Sequence, residues 1–469
     1  VARHDRWVML TTLAVLQALT IVIGVYAVTT DFSLGALTSQ SPPTKPTEGP
    51  PTAPVITAGP VLAHLPAKPG DGPLPTKGTL TRQLNDALGD EALGDHVGAV
   101  VIDAATGQRV FDSGGDTPIT PASTTKVITC AAALASLGPD TRLSTRVVQG
   151  ATPGTAVLVG GGDPMLAGPQ AKPAYPKQAS LKTLAARTAA TLKSQNIRKI
   201  TLSYDTSLFV GPPIPPGWKP NYVPDGEAAP IYALAMDEGR QNPRANKPRV
   251  SNPPRYAAAA FAKLLRGEGI AVARSVKPGK AAAGAPELGK VDSAPLYALV
   301  EHALTRSDND LAEALSRHVA IKEGQEASSA GGAKAVLAVL QRLGVTQGVS
   351  LSDGSGLSIR NRISPYALAT VLAMAGSPNH PELAAIATGL PIAGFSGTLG
   401  NGHRFTGSDS RGQVGLVRAK TGTLNNVNTL AGMATTKDGR LVTFAFMADD
   451  VPVTAEPVLD RLAATVARS

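Results

Sequence analysis

Cysteine is almost absent from this 469-residue chain: Cys130 stands alone, which excludes an intrachain disulfide framework and a thiolate zinc cluster. Its simplest reading is a small buried hydrophobe on the helix that follows residue 123. Aromatic residues make up only 4%, and the basic residues behind the net charge of +9 are scattered. No cationic stripe interleaved with aromatics is therefore available for nucleic acid. The 7 histidines are dispersed and no H-E-x-x-H occurs, which argues against a zinc peptidase. No G-x-S-x-G surrounds a candidate serine. Gly160-Gly161-Gly162-Asp163-Pro164 lacks the Lys-Ser/Thr of a phosphate loop and reads as a tight turn. There is no internal repeat.

What is present fits a globular protein, with 43% hydrophobic and 17% charged residues. The length implies two or three domains, and 39 prolines with 48 glycines imply many loops and linkers. Residues 7–28 carry no charge, and as a helix these 22 residues would span about 33 Å, enough for a bilayer core. Arg3 and Arg6 precede the stretch and Asp31 follows it, which predicts a cytoplasmic N-terminal stub and a transmembrane anchor over residues 1–30. A cleaved signal peptide ending near Val25-Tyr26-Ala27 is the competing reading, and the length of the apolar stretch favours the uncleaved anchor. Either way the bulk of the chain is exported. Its basic charge there suits an anionic wall or lipid surface. Residues 31–78 are dominated by Pro, Thr, Ala and Gly and read as a semi-rigid spacer.

The folded body is expected from residue 79, with a helix over 79–92 and strands at 97–103 and 108–113. A further helix starts at Pro121-Ala122-Ser123 and stops at Gly138-Pro139. Residues 139–290 differ in character, with short strands and a Pro-rich 210–224, and read as an inserted domain or pair of domains. Helices resume near 294, break at Ser307-Asp308-Asn309 and restart over 311–320, with another over 333–343. Strands at 417–421, 429–435 and 441–447 and a helix over 456–467 close the chain. The body then consists of 79–138 and 291–469, around a mainly antiparallel sheet built from both ends of the sequence.

Three short elements carry chemistry. Ser123 and Lys126 lie three residues apart on one helix, so they share a face one turn apart, and the amine can reach the hydroxyl. A serine is a poor nucleophile until its proton is accepted, and a lysine accepts it only when burial or a second cation lowers its pKa. Lys420 is the evident second cation. The helix start also favours a developing oxyanion at Ser123. In Ser307-Asp308-Asn309, Ser307 is placed to relay a proton to a leaving amine and Asn309 to hold a substrate amide. In Lys420-Thr421-Gly422-Thr423 a strand edge can pair with an extended peptide. Lys420, Thr421 and Thr423 are then set to bind its carboxylate, and Gly422 leaves room for the backbone. The Thr423 N–H is a candidate to join that of Ser123 in an oxyanion hole. Singly, these elements are equally a helix cap, a capping turn and an ordinary strand end. Their order and context carry the specificity. Ser194-Gln195-Asn196 is a decoy for the second element and reads as a helix end.

With these elements the chain resembles a class C low-molecular-mass penicillin-binding protein, a D-alanyl-D-alanine carboxypeptidase/endopeptidase of the penicillin-binding protein 4 type. The likeness runs from about residue 79 to the C-terminus. It includes the long insertion, Gly160-Gly161-Gly162-Asp163-Pro164, Leu311-Ala312-Glu313, Asp353-Gly354-Ser355-Gly356-Leu357-Ser358, Gly397-Thr398-Leu399 and Ala419-Lys420-Thr421-Gly422-Thr423-Leu424. The resemblance implies an α+β fold: a penicillin-binding transpeptidase/β-lactamase-like domain, its mainly antiparallel sheet flanked by helices. A large inserted domain interrupts it and one N-terminal transmembrane helix precedes it. Ser123 is then the acyl-ester nucleophile and Lys126 its base, with Ser307 and Asn309 in the second motif and Lys420, Thr421, Gly422 and Thr423 in the third. The implied partners are peptidoglycan stem peptides, β-lactam inhibitors and the membrane, with no metal or cofactor and no nucleic acid. The implied site of action is the extracytoplasmic cell envelope. Two departures stand out. Ile359, with Arg360 next, occupies the place where the family often has arginine, and residues 241–253 are short for a second nested insertion. A β-lactamase and a catalytically weak wall-binding scaffold are the rival readings.

Overall fold

Strands from the two ends of the sequence close one sheet in the computed structural model of the protein, which describes residues 72–74, 77–400 and 402–469. The first part holds α1 (Lys77–Leu88), β1 (His96–Asp103), β2 (Arg109–Ser113) and α2 (Thr125–Leu137). Next come β3 (Ser144–Gln149), β4 (Thr155–Val159), α3 (Leu181–Ser194), β5 (Lys199–Asp205), α4 (Pro253–Gly267), β6 (Ala271–Val272), β7 (Lys277–Pro278) and β8 (Glu287–Asp292). The last part holds α5 (Leu296–Thr305), α6 (Asn309–Lys322), α7 (Ser329–Arg342), β9 (Val349–Ser350), β10 (Arg362–Ile363), α8 (Pro365–Ala375) and α9 (Ala384–Gly389). It ends with β11 (Val417–Leu424), β12 (Val427–Thr435), β13 (Leu441–Asp449) and α10 (Glu456–Arg468).

The main sheet runs β11-β12-β13-β1-β2 and is antiparallel throughout. The first strand pairs with the last along its whole length, from His96 opposite Asp449 to Asp103 opposite Val442. Its side chains alternate between two cores, as a period of two requires. Val100 and Ile102 join Val127, Ile128 and Leu368 of α2 and α8 on one face. Ala99 and Val101 join Leu80, Leu459 and Leu462 of α1 and α10 on the other. Burial on both faces explains why β12 and β13 read as nearly continuous apolar runs rather than alternating ones. Helix starts are set locally: Ser180, Asn252, Asp308, Ser328 and Ser364 each accept a backbone N–H at the head of α3, α4, α6, α7 and α8. Cys130 is fully buried on α2, and burial pushes its thiol up to about 12, as suits an inert core residue.

The insertion has its own sheet, β6-β5-β4-β3-β8, with β7 also on β5. This sheet is mixed, because α3 and α4 act as crossovers that let β4, β5 and β6 pair in parallel. Val147, Leu158, Leu184, Ile200 and Phe261 form its core. A smaller cluster ties insertion to body: Phe209, Trp218, Tyr222 and Ile231 pack on Ala314 of α6 and on Leu357. That contact carries the 209–231 segment to the site.

The expected membrane-anchored architecture is corrected. No helix among the described residues is long and apolar enough to cross a membrane. The longest of them, α4, has 15 residues, about 22 Å, against a hydrocarbon core of about 30 Å. Residues 7–28, on which the anchor was expected, lie outside the described residues, as does almost all of the expected spacer. The fold is α+β with an inserted domain, its described residues include no transmembrane helix, and neither a membrane partner nor anchoring in the envelope follows from it.

Phe444 on β13 is fully buried and stacked on Phe446 with ring centroids 5.0 Å apart. Phe444→Ala is expected to lower the unfolding free energy by about 3–5 kcal/mol, read from urea melts.

Candidate active site

The nucleophile candidate lies on a single 3-10 turn, Ala122–Thr124, that leads into α2. Two glycines let other segments press against this turn. A Cβ on Gly422 would lie 2.6 Å from the Pro121 carbonyl oxygen and 3.1 Å from the Ser123 nitrogen. A Cβ on Gly356, whose φ is +87°, would lie 1.9 Å from the Ala122 carbonyl oxygen. The third motif and the Asp353–Ser358 loop thus clamp the turn from two sides, and only glycine permits the approach.

Lys126 is fully buried, and its Nζ has three partners: Ser123 Oγ at 3.0 Å, Asn309 Oδ1 at 2.6 Å and the Ser355 carbonyl at 2.7 Å. The last two are acceptors only. A neutral amine gives them its two hydrogens and keeps its lone pair for the Ser123 hydroxyl. Burial lowers the Lys126 pKa to about 8, against the opposing pull of Asp353 and Asp308. Of the two expected causes, burial and a second cation, desolvation is the one that holds this lysine down. Lys420 is itself fully buried, and burial and then Lys126 hold its pKa well below the usual lysine value.

Lys420 Nζ donates to Ser307 Oγ at 2.9 Å and to the Thr421 carbonyl at 2.8 Å. Ser307 has φ +56° in the turn between α5 and α6, and Asp308 caps α6 by accepting from Leu311 N at 2.9 Å. The capping reading and the cleft reading of this motif are thus both met, by different residues. Thr421 Oγ1 is 2.7 Å from Thr398 Oγ1. Thr423 Oγ1 donates to Glu456 Oε1 at 3.1 Å, so its hydrogen is engaged at the head of α10. Ser123, Ser307, Asn309, Thr398, Thr421 and Thr423 line one cleft of about 900 Å³. The two lysines lie behind its wall. Ile359 and Arg360 are exposed and line no part of it. The decoy Ser194 ends α3, its hydroxyl donating to the Thr191 carbonyl at 2.8 Å.

Several groups at the site had no assigned role in the sequence. The Ser355 carbonyl is one. Its loop is fixed by Glu313, which accepts from Gly354 N at 2.8 Å and Ser355 N at 2.9 Å and pairs with Arg317 at 2.8 Å. Asp353 braces the same loop, accepting from Gly356 N, Ser358 N, Asn361 Nδ2 and Trp218 Nε1, the last at 2.7 Å. Asn309 is oriented from the insertion, donating Nδ2 to the Glu227 carbonyl at 2.8 Å. Glu313 and Asp353 stood in segments that carried the family resemblance. Trp218 and Glu227 gave no signal, since one acts through an indole on a remote loop and the other through its backbone.

The family model described as the D-Ala-D-Ala carboxypeptidase 3 (S13) family matches residues 80–249 and 240–466. The chain belongs to this family. Carboxypeptidase DacB of Mycolicibacterium smegmatis is 36% identical over 428 residues, 89% of each chain. A carboxypeptidase of Mycobacterium tuberculosis is 36% identical over 422 residues, 88% of each chain. Among solved structures, penicillin-binding protein 4 of Haemophilus influenzae superposes with a TM-score of 0.66 at 25% identity, covering 83% of this chain and 98% of that one. This S13 member is thus a class C low-molecular-mass penicillin-binding protein, a serine-type D-Ala-D-Ala carboxypeptidase/endopeptidase.

Gly356→Ala tests the clamp on the nucleophile turn. The added methyl must displace Ala122 or the loop, so the penicillin acylation rate should fall by about 10²-fold while far-ultraviolet circular dichroism is unchanged.

Proposed function

We propose that the carboxypeptidase reaction runs through Ser123, and the observation that carries this is the triple contact of Lys126 with Ser123, Asn309 and the Ser355 carbonyl. The stem peptide lies extended along β11 in the cleft, its terminal carboxylate at the Thr421 hydroxyl and at that of Thr423, whose hydrogen turns from Glu456 to reach it. That carboxylate favours a proton on Lys420, and a charged Lys420 further disfavours charge on Lys126. Ser123 Oγ gives its proton to Lys126 Nζ and attacks the carbonyl carbon of the penultimate D-Ala. The N–H groups of Ser123 and Thr423 take the oxyanion. Asn309 holds the substrate amide, with its own amide oriented by Glu227. Ser307 passes a proton from Lys420, which donates to it, to the leaving amine of the terminal D-Ala, and the proton held by Lys126 replaces it on Lys420 through the hydroxyls and water of the cleft. The peptide C–N bond breaks, free D-Ala departs and the acyl ester remains on Ser123 until water hydrolyses it. Cross-link cleavage uses the same acylation with a different leaving amine. No step requires a metal or a cofactor.

In this division residues 79–138 and 291–469 carry the acylation machinery. The insertion over 139–290 supplies Glu227 and Trp218, which hold that machinery in register.

Two measurements test the reading. Penicillin should add its mass to the wild-type body and not to Ser123→Ala. A wild type that stays unmodified with the β-lactam intact would favour the scaffold reading, and rapid destruction of the β-lactam would favour a lactamase. The pH profile is the second. Lys126 must be neutral to take the proton, and the neutral fraction grows as pH rises through about 8. Acylation by penicillin should rise about tenfold per pH unit below that value and level off above it. A profile flat from pH 6 to 9 would remove Lys126 as the base.

A further inference from the structure

Beside the second-motif turn lies a largely buried cluster that acylation does not use. Glu238, His302 and Asp308 each offer a ligand-type atom, and these atoms lie within 4.8 Å of one another. His302 comes from the last turn of α5 and Asp308 from the cap of α6. Glu238 comes from the insertion, on a turn where Asp237 and Glu238 both have positive φ, 50° and 53°. The three face the same cleft as Ser307 and Asn309.

Asp308 supplies the deciding observation. Its side chain is only 2% exposed, yet Oδ2 has no hydrogen-bond partner. It stands 3.4 Å from His302 Nε2, an ion-pair contact longer than an ordinary hydrogen bond. A buried carboxylate oxygen rarely goes without a hydrogen bond, because its desolvation is costly. Two such atoms facing each other at this separation have the spacing of neighbouring ligands on one ion. Metal–ligand lengths of about 2.0–2.2 Å put tetrahedral neighbours about 3.4 Å apart. Glu238 uses Oε2 to pair with Arg240, which leaves Oε1 available.

The surroundings are crowded with acidic groups. Asp163, Glu238, Asp308 and Asp310 are all buried and act electrostatically on one another. Two guanidinium groups oppose them, Arg240 on Glu238 and Arg249 on Asp310. Burial pushes Asp163 up to about 7 and Asp310 up to about 8, so the charge that remains is chiefly that of Asp308, which His302 faces at 3.4 Å.

We propose that Glu238, His302 and Asp308 form a binding site for a divalent transition-metal ion, with zinc the class that one imidazole and two carboxylates suit. The ion lies outside the acylation path. It ties the insertion, through Glu238, to the turn that carries Ser307 and Asn309, and so acts as a clamp between the two halves of the cleft wall.

The test is calorimetric titration of Zn2+ into chelator-stripped full-length protein, with Co2+ visible absorption as a second readout. The wild type should bind one equivalent, and His302→Ala and Glu238→Gln should each weaken binding at least tenfold. His380→Ala removes a surface His–Glu pair and should leave the affinity unchanged, which separates the site from adventitious zinc on exposed histidine. No binding below about 100 μM, weaker than a dedicated zinc site, would overturn the proposal. So would binding that His302→Ala and Glu238→Gln leave intact. Penicillin acylation of the stripped variants reports that they are folded, and it keeps failure of the metal site distinct from failure of the acylation reading.

Discussion

The burial of the Lys126 amine is the constraint on which the rest of the site depends. An ammonium group out of water is costly unless every hydrogen is met. Here two acceptors, the Asn309 amide oxygen and the Ser355 carbonyl, are held in place before substrate arrives. Lowering the pKa from its usual 10.5 to about 8 corresponds to roughly 3 kcal/mol of preference shifted toward the neutral form. That shift makes a lysine useful as a base near neutral pH, and it exists only because several distant segments converge on one atom.

Most of the surrounding architecture supplies those two acceptors. The Ser355 carbonyl is fixed by a loop folded around Asp353 and anchored on Glu313, whose own charge is met by Arg317. The Asn309 side chain is fixed by a backbone carbonyl of the insertion. Trp218 reaches from that insertion to Asp353, so both acceptors are coupled to the same inserted segment. An insertion that begins right after the helix headed by Ser123 thus returns to brace both acceptors of the Lys126 amine. The aromatic cluster of Phe209, Trp218, Tyr222 and Ile231 on Ala314 and Leu357 holds it there.

Much of this was legible along the chain. Turn and apolar patterns placed β1, β2, α2 and the three C-terminal strands close to where they lie. The long separation of Ser123 from Ser307 marked an insertion. The three motifs meet in one cleft, and the decoy Ser194 is a helix end. The insertion's parallel pairing was not legible, since a short buried strand reads the same whichever way its neighbour runs. Trp218 and the Glu227 carbonyl were missed for a related reason. A backbone carbonyl has no residue identity, and a tryptophan in a Pro-rich loop is silent about what lies opposite it. Burial and a second cation were both open as causes of a low Lys126 pKa, and the sequence did not choose between them, because two lysines can be seen in it and the absence of water around one cannot.

The sequence by itself determined the residue types of the chemistry, their order and the family. A hydroxyl three residues before an amine on a helix start, with a Ser-Asp-Asn turn and a Lys-Thr-Gly strand behind it, is local information. What orients the Lys126 amine and how far its charge is suppressed were decided only by tertiary structure. Those properties depend on desolvation and on contacts between residues 183 and 229 positions apart, Lys126 with Asn309 and with Ser355. Burial is a property of the whole packing, and no single segment carries it.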